Sequence, residues 1–223
     1  MELLGLPADV ANGTNRVGVA ANGAAAALGF KNGGRYDLET AARRDLWRIV
    51  IWVTLGALLG IYWSLVISNE AFRQVFRYLL VVMLVVILVK PKRWLKAPDA
   101  ARALPVWLAV PLYFALGVYG GFIQMGMGVF FLAVMVLVAR YEIIQANAVK
   151  ALAVLIYTLV AVGIFAWRGL IDWPIGLLMA VGQMAGGYLT AKYASTHPKA
   201  GEWAYRLLVA VVIAAIAKAF WPG

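Results

Sequence analysis

The stretch "GVYGGFIQMGMGVFF", residues 117–131, sits in the middle of a run without a charged residue, Ala103 to Ala139. A membrane-crossing helix needs about 20 apolar residues, and this run is far longer. Gly117, Gly120, Gly121, Gly126 and Gly128 crowd its centre, with Gln124 among them. Glycine lets the backbone leave helical geometry. A bilayer tolerates irregular backbone only where protein or water surrounds it. One reading is a single long tilted helix with a small-residue packing face. The other is a discontinuous helix whose broken ends line a binding site. The length of the run, and the clustering of glycines where a break would fall, favour the discontinuous helix.

Composition sets the solvent for the rest of the chain. Hydrophobic residues make up 64% of it, against about 45–50% in soluble domains. So much apolar surface cannot be buried in a globule of this size, and an integral membrane protein in contact with the lipid bilayer is expected. With no cysteine in the chain, disulfide and thiolate chemistry are excluded. The net charge of +10 could suggest nucleic acid. The charges instead fall between apolar runs, as in cytoplasmic membrane loops, so no nucleic acid partner is expected.

Uncharged or nearly uncharged runs mark the other spans: Ile49 to Asn69, Ala71 to Val89 with Arg73 and Arg77 snorkelling, Ala151 to Trp167, Trp173 to Ala191, and Trp203 to Ala217. Asp9 to Phe30 is rich in Ala and Gly and inserts poorly. It reads as a helix enclosed by its neighbours. The expected fold is all-α and polytopic, with about seven transmembrane helices.

The stretches "ADVANGTNRVGVAANG" and "QANAVKALAVLIYTLV" belong together. Asn12 matches Asn147, Phe30 matches Phe165 and Asp37 matches Asp172, without a gap. Gly56 and Gly60 of "GALLG" match Gly182 and Gly186 of "GQMAG", and Arg77 matches Arg206. A tandem duplication follows, with a first repeat over 1–96 and a second over 97–223. The counterpart of the glycine-rich break would fall before residue 1, so a truncated, late-started or shortened first repeat is expected. The basic segments 31–48 and 90–102 can both be cytoplasmic. If residues 103–139 cross once, the two halves run parallel, which leaves Lys192 and Lys199 on the outer side.

Cations recur at one depth in the paired helices. Asn15 aligns with Lys150, and a shift of one residue aligns Arg16 instead. Such a charge at membrane centre costs about 2.5–3.5 kcal/mol on insertion scales. Internal salt bridges to Asp9 and Glu142 are one way to offset it. The other is an anion site, in which Asn12, Asn15, Asn147 and Gln124 add donors to Arg16 and Lys150. Backbone around Gly120, Gly121, Gly126 and Gly128 supplies more. The repetition favours the anion site. Tyr119 and Tyr157 could reach it. Asp172, with Pro174 after it, reads as a helix N-cap, and His197 as a loop residue. No metal site and no cofactor are expected. A membrane enzyme would need a nucleophile, acid–base pair or metal cluster that the chain lacks.

At "LGLPADVANGTNRVGV", "YGGFIQMGMGVFFL" and "ANAVKALAVLIYTLVAVGIFAWRGLIDW" the chain resembles the sulfite exporter TauE/SafE family of membrane permeases. The resemblance implies a multi-pass transporter of a prokaryotic cytoplasmic membrane. It also implies small sulfur-containing anions, such as sulfite or organosulfonates, as substrates. Alternating access at the repeat interface is the expected mechanism. An anion channel or an accessory membrane subunit is the alternative, and a homo-oligomer is compatible with either.

Overall fold

The computed structural model describes residues 5–32, 42–88, 105–124, 126–141, 143–193 and 200–220. Among these residues all regular structure is helical, the form in which a chain inside lipid satisfies its own backbone. The elements are α1 (Ala8–Asn32), α2 (Ala42–Val66), α3 (Asn69–Leu88) and α4 (Val106–Phe122). Then come α5 (Met127–Leu132), which continues as π-helical turns through Ala133–Val138, α6 (Ile143–Trp167), α7 (Trp173–Tyr193) and α8 (Ala200–Phe220). Among the described residues three segments are long and apolar enough to cross a membrane: Leu46–Val66, Asn69–Leu88 and Gln145–Trp167. The expectation of about seven spans also counted helices that do not reach this mark. Helix α1 is the clearest of these, being rich in Ala and Gly.

Local chemistry places the helix starts. Ile175 N–H donates to Asp172 Oδ1 at 3.0 Å, so Asp172 caps α7. The Asp172 N–H in turn donates to Thr14 Oγ1 at 2.9 Å, which ties this start to α1. Ser68 Oγ accepts from Ala71 N–H at 3.2 Å and caps α3. Asp37, Glu142, His197 and the linker 90–102 lie outside the described residues.

The glycine-rich run is broken, and it doubles back. Helix α4 ends at Phe122 and α5 begins at Met127. Between them Gln124 and Gly126 have φ of 63° and 75°, the left-handed region that glycine enters freely and other residues seldom. The limbs then pack antiparallel. Tyr119 meets Phe130 edge-on, ring centroids 4.7 Å apart, and Tyr113 Oη lies 3.9 Å from Met135 Sδ. Tyr141, past the end of the returning limb, lines one cavity with Val106 and Arg48. With 17 residues in α4, that limb is about 26 Å long, short of the roughly 30 Å hydrocarbon core. The run is thus a re-entrant hairpin.

This corrects the parallel arrangement of the two halves, which assumed that residues 103–139 cross once. Gly13 of α1 packs on Phe165 and Leu170, while Gly23 packs on Leu155 and Ala151, so α1 and α6 are antiparallel. Along α7, Gly176 meets Val17 and Thr14, Gln183 meets Gly18, and Gly187 meets Asn22, so α7 runs parallel to α1. Helix α2 follows α6: Ile49, Val53 and Ala57 share a core with Ala146, Val149, Ala153 and Tyr157, and Ile61 packs with Ala161 and Phe165. The matched pairs α1/α6 and α2/α7 therefore have opposite directions. Returning the hairpin to its starting side also brings Arg140 and the end of α7, with Lys192, to the side of Arg48. The expected outward position of Lys192 disappears.

Candidate functional site

The C-terminal end of α4 is where buried polar groups converge. The last four carbonyls of any helix lack intrahelical donors. In α4 the Tyr119 carbonyl receives Ile123 N–H at 3.0 Å. The next three are met from α1. Arg16 Nη1 donates to the Gly120 carbonyl at 3.4 Å, Arg16 Nη2 donates to the Gly121 carbonyl, and Asn12 Nδ2 donates to the Phe122 carbonyl at 3.0 Å. Arg16 also donates to Gln124 Oε1 at 3.2 Å and to Asn12 Oδ1 at 3.5 Å. Its guanidinium carbon lies 4.8 Å from the Phe165 ring centroid, within cation–π range.

Arg16 is 0% exposed, and its four terminal N–H groups point at oxygens, leaving Nε without a partner. The negative end of the α4 dipole faces this cation. Glycines make the approach possible. A side chain on Gly120 would meet the Tyr157 hydroxyl at 2.8 Å, and one on Gly121 would collide with the Ala57 carbonyl. Tyr157 Oη is itself buried without a hydrogen-bond partner among the described residues.

The second cation stands on the other limb. Lys150 Nζ donates to Asn147 Oδ1 at 2.7 Å, one turn back on α6. It lies 3.7 Å from the position a Cβ would take on Gly128, in the first turn of α5. Among the described residues no carboxylate pairs with Arg16 or Lys150. Asp9 Oδ1 instead accepts the neighbouring Val10 N–H at 2.9 Å.

The structure therefore gathers the anticipated residues into two groups. Asn12, Arg16, Gly120, Gly121 and Gln124 close the end of α4. Asn147, Lys150 and Gly128 lie at the start of α5, and Gly126 forms the turn between. Asn15 is half-buried and takes no part in the hydrogen bonds of either group. Sequence reasoning missed Phe165 as a wall of the Arg16 site. Its signal was its alignment with Phe30, read only as a repeat marker. Among the described residues no cluster of His, Cys, Asp or Glu could hold a metal ion.

A polytopic helical protein with a re-entrant hairpin and two cations near its tip that, among the described residues, pair with no carboxylate has the architecture of a membrane transporter. The family model for "Sulfite exporter TauE/SafE" matches residues 1–219, and the chain belongs to that family. It is similar to "Probable membrane transporter protein ORF9" of Sinorhizobium sp, 25% identical over 96% of this chain and 79% of that protein. It is similar also to "Probable membrane transporter protein" of Haemophilus influenzae, 28% identical over 88% of this chain and 75% of that protein. No solved structure matches it. The chain is a multi-pass membrane transporter.

Proposed function

We propose that the chain moves a small sulfur-containing oxyanion, sulfite or a short organosulfonate, past the hairpin tip by alternating access. The observation that carries this reading is Lys150. It is a cation beside the start of a broken helix, with an amide oxygen as its partner and, among the described residues, no carboxylate paired with it. A partly buried charge with no counter-ion among the described residues is costly, and a bound anion supplies one. In this reading Lys150 and Asn147 contact the anion. Arg16 and Asn12 hold the end of α4, and Arg16 adds its positive field.

The geometry favours two moving bodies. Helices α1 and α7 interlock through polar notches, Gly18 with Gln183 and Gly187 with Asn22. The α4 limb of the hairpin is seated on α2 by glycines. The hairpin tip lies where these bodies meet, so rocking one against the other opens it alternately to each side. Helix directions set Arg48, Arg140 and Lys192 on one side, and the positive-inside rule makes that side cytoplasmic in a prokaryotic inner membrane. An inside-negative potential then favours anion exit by about 2.3 kcal/mol per charge per 100 mV, so export needs no proton relay.

The test is anion flux in proteoliposomes with sulfite, sulfate and a short sulfonate, for the wild type and Lys150→Met. Potential-sensitive flux of one sulfur anion, lost in a variant that still inserts, is the expected result. Flux unchanged in Lys150→Met would overturn the reading.

A further inference from the structure

The Tyr157 hydroxyl is buried beside the hairpin tip and does not serve the packing. The residue is 0% exposed. Its ring lies in the core with Val53 and Ala57 of α2, Met127 and Phe131 of α5 and Ala153 of α6. A phenylalanine ring would pack there as well. The hydroxyl makes no hydrogen bond among the described residues. Gln124 and Thr158 stand beside it, but Gln124 Oε1 receives Arg16 and Thr158 Oγ1 is likewise unpaired. A buried hydroxyl left unpaired is destabilising, so its presence needs a reason outside the fold.

Its place on α6 supplies one. Asn147, Lys150 and Tyr157 follow at intervals of three and seven residues, so they share one face of the helix. Lys150 Nζ faces Gly128, in the first turn of α5. Two turns further on, Tyr157 Oη faces Gly120, near the end of α4, 2.8 Å from where a Cβ would stand. Met127 Sδ lies 3.1 Å from that same point. The two side chains thus flank the tip from its two limbs. Seven helical residues rise about 10.5 Å. Helix α6 leaves the side of Arg140, so Tyr157 sits outward of Lys150. Arg16 is close enough for its charge to act on the Tyr157 hydroxyl, which makes this outward place electropositive.

We infer, on the reading above that an oxyanion passes the tip, that Tyr157 is its second contact, outward of Lys150. When the bodies rock apart at the tip, the Tyr157 O–H donates to an oxygen of the anion that has left Lys150. Arg16 contributes its field there while its terminal N–H groups stay on the end of α4. A neutral donor suits the outward position. Transport needs binding favourable enough to admit the anion and weak enough to release it, and a second full charge in contact would hold it. Lys150 therefore captures, and the hydroxyl passes on.

The test is Tyr157→Phe in the full chain, which keeps the ring and removes the hydroxyl. Sulfite flux is measured against sulfite concentration in proteoliposomes at fixed potential, beside wild type, Lys150→Met and Tyr113→Phe. Tyr113 is the control, a buried tyrosine of the same core whose hydroxyl lies by Met135 Sδ, towards the base of the hairpin. The expected result for Tyr157→Phe is a maximal rate about tenfold lower, the scale of a hydrogen bond to a charged group. Its half-saturating concentration should stay within about twofold of wild type. Its melting temperature in detergent should hold or rise, and sulfite should still raise it as in wild type, because Lys150 still binds. Tyr113→Phe should transport as wild type does. Wild-type kinetics in Tyr157→Phe, beside a Lys150→Met that has lost flux, would overturn this inference and leave the proposed function standing. Wild-type flux in Lys150→Met would remove both. A lowered melting temperature in Tyr157→Phe, or an equal loss of flux in Tyr113→Phe, would make the hydroxyl structural and overturn the inference. A raised half-saturating concentration at an unchanged maximal rate would put Tyr157 in the first contact with Lys150 and overturn it too.

Discussion

Arg16 on α1 and Lys150 on α6 align in sequence within one residue, yet their surroundings differ. Arg16 is enclosed: its terminal N–H groups are taken by the ends of α4 and by Asn12 and Gln124, and Phe165 lies near its guanidinium. Among the described residues, Lys150 donates to one oxygen, Asn147 Oδ1 at 2.7 Å. A planar guanidinium with fixed donors suits a site built of several carbonyls. A flexible ammonium suits one whose partner comes and goes. In the proposed function the two cations thus divide the work: Arg16 holds the end of α4 and Lys150 meets the anion.

The largest expected effect comes from removing the first. Arg16→Met leaves the Gly120 and Gly121 carbonyls buried without donors, at about 1–3 kcal/mol each. The variant should accumulate poorly in membranes, or show a strongly lowered melting temperature in detergent. Arg16→Lys should fall between, because an ammonium cannot reach both carbonyls and Gln124 together. A normal melting temperature for Arg16→Met would erase the distinction between the two cations.

Lys150→Met should do the reverse. It removes a partly buried charge whose partner among the described residues is an amide oxygen, so the melting temperature should hold or rise. Anion flux should fall by about tenfold or more, a loss of roughly 1.4 kcal/mol or more of differential binding. A variant that loses flux only because it fails to fold would make Lys150 a second Arg16.

How far this division could be read from the sequence depends on where each partner lies. The break was legible, because glycines crowd a charge-free run too long for one span. The direction of the second limb was not. A glycine cluster says that a helix stops, and only packing such as Tyr119 on Phe130 says that the chain returns. From that one reversal follow the opposed helix directions and the placing of Lys192 on the side of Arg140. Arg16 was legible as costly, but its partners are backbone carbonyls more than 100 residues away. Carbonyls carry no sequence signal, so its role as a helix cap could not be told from an anion site.

Two glycines of the hairpin sharpen the contrast with smaller effects. Gly126 has φ of 75°, and a side chain there would crowd Met83 Sδ. Gly126→Ala should cost about 1–2 kcal/mol from the left-handed backbone alone, lowering the melting temperature by a few degrees. Gly128 carries no such strain. A Cβ added there would lie 3.7 Å from Lys150 Nζ and 3.8 Å from its Cδ, which is ordinary van der Waals contact. Gly128→Ala should therefore melt like the wild type, yet fill the space that the Lys150 ammonium faces. If an anion binds there, its apparent affinity should weaken by a few-fold, within about 1 kcal/mol, and the effect should grow with the size of the anion. Sulfite flux would then suffer less than flux of a short sulfonate. Equal, unchanged flux of both would place the anion away from the start of α5 and confine Lys150 to a field effect like that of Arg16.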